Sequence, residues 1–325
     1  MNPAHRGATA FRPQPQVGPG VDWAFLTRMD EKATLYERDV YFREGLRDAE
    51  RIWGAEWAEV LHRSSLLMLK PDGLAAGVAR PVHDFLERNG FAIVGAWPTS
   101  LAGHVWRALW RFQITAASTD RFLVNELLYQ DPCLLLLLSD RETGREPATV
   151  RLARLKGSSD LALQAPNTLR ALLRQPHRLF TYVHVADEPA DLLREVAILF
   201  GRATRLGVLD SWLRPALPDA ERALLEEAFS VPAEHRRSFD FEPALDRLEA
   251  AVVDAGEALL LRDLRAMRAG ARISWPDFAE RLEAAGVAAE RWDVATVGAY
   301  AIDVDDPGAR KAIVTPDYDA WLGNG

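Results

Sequence analysis

Between residues 64 and 202, apolar runs of strand length alternate with stretches of helical period, which restricts the chain to a compact fold mixing helices with a sheet. Residues 66–70 read as a strand that stops at Lys70-Pro71-Asp72-Gly73 and runs into an amphipathic helix from about 75 to 88. A second strand, 91–98, is introduced by Asn89-Gly90, a helix-stop signal. Helices around 101–112 and 120–129 follow, then a strand at 133–139 and a helical stretch near 147–155. A polar loop at 156–167, a short helix, a strand at 179–184 and a helix at 188–200 complete the stretch. The order βαβ, then βαβ, predicts an α+β, ferredoxin-like βαββαβ unit over 64–205.

The flanks read differently. Residues 1–20, rich in Pro and Gly without an apolar centre, suggest a disordered leader rather than a signal peptide. Residues 21–63 carry aromatic residues at helical spacing and predict a helical extension of one or two helices. From 206 to 325 the composition turns to Ala, Leu, Arg and Glu and predicts a mostly α-helical domain of open role, with helices at 218–229, 242–267 and 275–285. Residues 292–302 and 311–314 look strand-like, separated by Asp303-Val304-Asp305-Asp306-Pro307-Gly308. Those three aspartates read as a solvated turn in preference to a cation site.

Bulk properties narrow the function classes. At 325 residues the chain has room for about two domains. No apolar run approaches the roughly 18–20 residues of a membrane span, and no membrane partner is expected. The single cysteine, Cys133, lies inside an apolar run, excludes an internal disulfide and suits a reducing cytoplasm. A net charge of −8 argues against general nucleic-acid binding, although Arg151, Arg154, Lys156, Arg170, Arg174 and Arg178 concentrate positive charge locally. There is no Gly-x-x-x-x-Gly-Lys-[Ser/Thr] loop, and no histidine has a Cys or His partner at zinc spacing.

The chemistry is placed at Thr181-Tyr-Val-His-Val-Ala-Asp187, where a lone histidine ends a β-branched and aromatic run before a Pro-Ala-Asp helix start. Alone, a strand-end histidine is more often structural than reactive. Eleven residues on, Glu195 falls on the following helix, where its carboxylate can turn back to the imidazole of His184. With Lys70-Pro71-Asp72-Gly73 upstream, Asp187 three residues after the histidine, Glu195 at eleven and Phe200 at sixteen, residues 64–202 resemble the nucleoside diphosphate kinases.

That resemblance implies a nucleotide-dependent phosphotransferase. His184 would take the terminal phosphate of ATP or another nucleoside triphosphate, with Mg²⁺ carried by the nucleotide and no protein metal site, and pass it to a nucleoside diphosphate or a nonstandard acceptor. It implies Lys70 and Arg170 on the phosphate, Glu195 orienting His184, Ser159 and Thr181 on the nucleotide, and Trp110 or Phe112 stacking on the base. Arg154 is the nearest substitute for a family arginine whose own position is Ala153. Thr181 replaces the family's Asn, and Val185-Ala186 replaces its Gly-Ser. These departures keep open a second class, a degenerate kinase fold serving as a nucleotide-binding regulatory or interaction module. Family members assemble through this fold, so a homo-oligomer is expected unless the appended chain on either side blocks that surface.

Overall fold

A computed structural model describes residues 21–142 and 144–323, so the expected leader at 1–20 lies outside the described residues. Residues 21–63 hold four helices, α1 (Trp23–Leu26), α2 (Asp30–Tyr36), α3 (Val40–Trp53) and α4 (Trp57–Arg63), more than the one or two expected there. Strand β1 (Ser64–Leu69) leads into α5 (Pro71–Ala75) and α6 (Ala79–Arg88), followed by β2 (Phe91–Ser100). The expected single helix is thus broken at Gly77, which takes φ +69. Next come α7 (His104–Leu109), α8 (Thr119–Leu128), β3 (Pro132–Asp140), α9 (Ala148–Lys156), α10 (Leu169–Leu172), β4 (Val183–Val185) and α11 (Pro189–Leu199). The rest comprises α12 (Arg202–Asp210), which crosses position 206, then α13 (Asp219–Phe229), α14 (Phe241–Asp254), α15 (Ala258–Arg268), α16 (Trp275–Ala284) and α17 (Arg291–Ala301).

The architecture is mixed α/β around one four-stranded sheet in the order β2-β3-β1-β4, with every neighbouring pair antiparallel. The strands β1 and β3 are its centre, and their continuous apolar runs are buried because helices cover both faces. Cys133 lies there, its thiol pushed up to about 12 by burial, first of all, and by the nearby Asp72. The outer edge of β2 is covered by α13, whose Glu221 accepts the Ala96 amide at 2.7 Å.

Of the helices before β1, α3 and α1 are packed on α11, whereas α4 packs against α3, α9 and β1. Gly45 of α3 meets α11 backbone to backbone, and a Cβ there would overlap the Leu193 carbonyl. A stack of Phe180 on Phe239, 4.5 Å between centroids, joins the sheet region to the helices after it. No helix among the described residues is long and apolar enough to cross a membrane.

Several expectations for the later chain are overturned. The stretch expected as a strand at 292–302 is helical up to Ala301, because α17 is wedged between α8 and α14 and buried around most of its circumference. Residues 311–314 form no strand; their amides bond irregular chain, Ala312 to Thr115 Oγ1 at 2.9 Å and Ile313 to the Phe112 carbonyl at 3.1 Å. The helix expected at 242–267 is divided at Gly256, which takes φ +76. The strand expected at 179–184 shrinks to Val183–Val185, since the preceding residues form a tight turn.

One contact between α17 and the sheet region makes stability depend on pH. His177 packs tilted against Tyr300, 4.7 Å between ring centroids, and its Nδ1 accepts the Leu179 amide at 3.3 Å. Burial, with Arg178 beside it, depresses its pKa from 6.5 to about 4. Between those values the unfolded chain holds a proton that the folded chain does not, so stability rises with pH there. A loss on the order of 3 kcal/mol is expected as pH falls through that window. His177→Gln, which keeps an acceptor for Leu179, should flatten the slope of urea midpoints against pH; parallel slopes in the two proteins would refute the assignment.

Candidate functional site

The turn before His184 and the turn after β1 are built together. Tyr182 takes φ +60, and the Val183 amide donates to the Thr181 carbonyl at 2.6 Å, a three-residue turn unfavourable for a non-glycine residue. The Lys70-Pro71-Asp72-Gly73 turn holds it in place. Asp72 Oδ2 accepts the Tyr182 amide at 2.9 Å, and the Lys70 amide donates to the Tyr182 carbonyl at 2.9 Å. Pro71 opens α5 at a position where no amide hydrogen is needed. A Cβ on Gly73 would overlap the Tyr182 carbonyl oxygen, so this close approach requires glycine.

His184 projects from β4 with both ring nitrogens occupied. Nε2 lies 2.9 Å from Glu195 Oε2 on α11, and Nδ1 lies 3.4 Å from the Trp110 indole nitrogen. An indole N–H only donates and an ionised carboxylate only accepts, so both partners favour the tautomer with hydrogen on Nε2 and a lone pair on Nδ1. Trp110 stands edge-on to the imidazole, 5.5 Å between centroids and 80° between planes. Its position is set by Arg194, which donates to the Leu109 and Ala108 carbonyls at 3.0 and 2.7 Å and so caps the end of α7.

Two cavities meet at His184. The larger, about 420 Å³, is walled by Trp110, Lys156, Gly157, Ser159, Asp187 and the C-terminal residues Lys311, Thr315 and Tyr318. The smaller, about 130 Å³, is walled by Lys70, Arg121, Tyr129, Arg178 and Thr181. Trp110, Ser159, Arg170 and His184 belong to both. A separate cavity of about 380 Å³ beside α4 holds Glu59, Asp140, Glu142 and Glu146 and touches none of these groups.

Each expected site residue can now be located. Lys70 is buried, 3.3 Å from Asp72 Oδ2 and 3.4 Å from the Leu179 carbonyl; burial lowers its pKa against the opposing pull of Asp72. Arg170 donates to the Gly157 and Val183 carbonyls at 3.0 and 3.2 Å, and burial lowers its pKa to about 10. Ser159 reaches both cavities and Thr181 the smaller one. Arg154 lines the larger cavity, but its guanidinium is paired with Glu146. Of the two aromatic candidates, Trp110 is at the site. Phe112 lies outside the walls of both cavities, packed 5.8 Å from Tyr36 and 5.1 Å from the Arg194 guanidinium.

The basic cluster also divides. Arg151 pairs with Asp140, away from His184, whereas Lys156 donates to Asp187 at 2.9 Å and Arg178 reaches the smaller cavity. Burial would raise Asp187, but Lys156 and Lys32 outweigh it and hold its pKa at about 2, with Tyr318 donating to the same Oδ1 at 3.1 Å. Arg121, Tyr129 and the C-terminal residues were not singled out in the sequence, because a lone arginine in the first turn of a helix reads as a solvated charge. Among the described residues no group of three or more His, Cys, Asp or Glu side chains is arranged to hold a metal ion.

No protein-family model and no curated protein sequence matches the chain. Solved structures that match part of it include the nucleoside diphosphate kinase of Aquifex aeolicus, at 18% identity over 43% of this chain and 96% of that one, with a TM-score of 0.35. A nucleoside diphosphate kinase family protein from Babesia bovis matches at 17% identity over 43% and 90%, TM-score 0.36. The nucleoside-diphosphate kinase of Borrelia burgdorferi, with vanadate and ADP bound, matches at 18% over 43% and 88%, TM-score 0.35. TM-scores this low decide nothing about the chemistry of this chain.

Proposed function

We propose that residues 64–205 form a ferredoxin-like catalytic unit that transfers the terminal phosphate of a nucleoside triphosphate through a phosphohistidine on His184. The observation that carries this reading is the Glu195 contact on Nε2 at 2.9 Å, which favours a lone pair on Nδ1 of a histidine that walls both cavities; the Trp110 N–H, 3.4 Å from Nδ1, has to give up that lone pair before it attacks. The strand order β2-β3-β1-β4 supports the fold assignment.

Nδ1 attacks the terminal phosphorus, the bond from phosphorus to the bridging oxygen breaks, and the diphosphate leaves with that electron pair. Glu195 stabilises the positive charge that develops on the ring. Lys70 and Arg170 neutralise phosphate oxygens, and Trp110, Ser159 and Thr181 contact the nucleotide. Mg²⁺ enters as part of the nucleotide substrate, which fits a cavity whose Asp187 is already engaged by Lys156 and Tyr318. The acceptor, a nucleoside diphosphate or a nonstandard one, then takes the phosphate from His184. The flanking helices brace this unit, and any assembly of copies uses a surface other than the covered edge of β2.

A second reading, a nucleotide-binding regulatory module without turnover, is favoured by the Trp110 N–H that rests against Nδ1. Incubation with γ-labelled ATP or GTP and Mg²⁺ separates the two. The expected result is an acid-labile, base-stable label on the peptide containing His184, discharged by nucleoside diphosphates or retained until another acceptor is supplied. A protein that binds nucleotide and takes up no label is the regulatory module instead.

A further inference from the structure

Asp305 is not the solvated turn residue its sequence context suggests. Its backbone forms an antiparallel bridge with Ala117, flanked by bonds from Ser118 N to the Val304 carbonyl at 3.3 Å and from Asp306 N to the Ala116 carbonyl at 2.8 Å. Its carboxylate spans two arginines, with Arg121 Nη1 at 2.8 Å on Oδ1 and Arg178 Nη2 at 3.0 Å on Oδ2. Both arginines wall the smaller cavity beside Lys70, Arg170 and His184. Arg121, Arg170 and Arg178 each keep a buried Nε with no hydrogen-bond partner.

Two guanidinium groups bridged by the two oxygens of one anion present the geometry in which arginines hold a phosphoryl group. We infer that Arg121 and Arg178 form a subsite for a phosphoryl oxyanion, free or carried on a ligand, and that Asp305 is the chain's own competing occupant. Filling the subsite displaces the Asp305 carboxylate and frees residues 304–306 from 116–118. The inference deepens the proposed phosphotransfer by adding control of the same site, but its test needs no phosphohistidine.

Titration calorimetry on the full chain, with inorganic phosphate, ATP and adenosine as separate probes, measures the competition. Asp305→Asn keeps the shape and removes the charge, and is expected to tighten phosphate-bearing probes roughly tenfold, while Arg178→Gln weakens them by a similar factor. Asp306→Asn, the same charge change one residue along, should tighten them far less. A gain for both inorganic phosphate and ATP identifies a subsite open to free oxyanion. A gain for ATP alone, with adenosine unchanged, identifies one for a phosphate carried on nucleotide. No gain for either probe overturns the inference.

Amide exchange in the wild-type protein gives the same decision without a variant. Saturating phosphate or ATP should speed exchange at Ser118 and Asp306, and unchanged exchange with ligand bound rejects the displacement. Should the label on His184 fail to form while these shifts appear, the catalytic reading falls and the competing carboxylate stands.

Discussion

His184→Ala is expected to abolish the phosphoenzyme, and Glu195→Gln to slow its formation roughly ten- to a hundredfold while leaving nucleotide affinity and melting temperature near wild type. The first follows from removal of the attacking atom. The second follows from the change in charge as the P–N bond forms: the ring becomes cationic, and the 2.9 Å contact from Nε2 changes from a neutral donor on a carboxylate to an ion pair. A glutamine can keep the tautomer by presenting its carbonyl oxygen, but it offers no negative charge. A hydrogen bond to a charged group is worth about 1.5–3 kcal/mol, which is the rate factor given above. Single-turnover labelling over time reads it directly. Equal labelling rates in wild type and Glu195→Gln would mean that the carboxylate only packs against the ring.

The parts of this site that sequence reasoning reached are those encoded within one turn or one helix. Lys70, Asp72 and Gly73 are neighbours in the chain, and each has a separate local duty: charge in the smaller cavity, acceptance of the Tyr182 amide, and room for the Tyr182 carbonyl. Glu195 follows from helical spacing after His184. Arg121 and Asp305 are 184 positions apart and Arg178 and Asp305 are 127 apart, so no window of sequence contains the pair. Arg154 shows the converse. Its charge and neighbourhood suit a phosphate, but Glu146, whose carboxyl is raised first of all by burial, takes its guanidinium.

The fold was legible where burial and intrinsic preference agree. Strands β1, β2 and β3 are continuous or near-continuous apolar runs, and they stand within two residues of their expected bounds. In α17 the two signals disagree. Val294, Thr296 and Val297 favour extended chain, and the packing of the helix between α8 and α14, which buries Thr296 and Val297, overrides that preference. Gly298 supplies the close fit, since a Cβ there would overlap the Trp275 ring. In the 311–314 stretch the apolar pattern marks an anchor, Ile313, not a strand; the residue is buried while its neighbours 311, 312 and 314 are exposed.

Lys32→Met is expected to cost about 3–5 kcal/mol of stability, the magnitude for removing one partner from a buried charge cluster. Lys32 is 1% exposed and donates to Glu188 Oε2 at 2.7 Å and Asp191 Oδ2 at 2.6 Å. The two carboxylates gather both ends of the described chain. Glu188 accepts from Thr27 Oγ1 at 2.5 Å, the Arg28 amide at 2.9 Å and the Trp321 indole at 2.9 Å, and Asp191 accepts from Tyr36 at 2.6 Å. Without the ammonium, two buried anions face each other with only these neutral donors and the N-terminal end of α11 in compensation. Burial already raises the Asp191 pKa with Lys32 in place, and removing Lys32 raises it further. The folded variant therefore binds a proton more readily than its unfolded state, so its deficit relative to wild type should shrink as pH falls towards the raised value. Urea midpoints of the two proteins across the acidic range test both size and sign. A deficit below about 1 kcal/mol, the range of a surface pair, would mean that the cluster adds nothing beyond packing. Because α11 also carries Glu195, a folded Lys32→Met fraction with normal His184 labelling would place this cluster in stability alone.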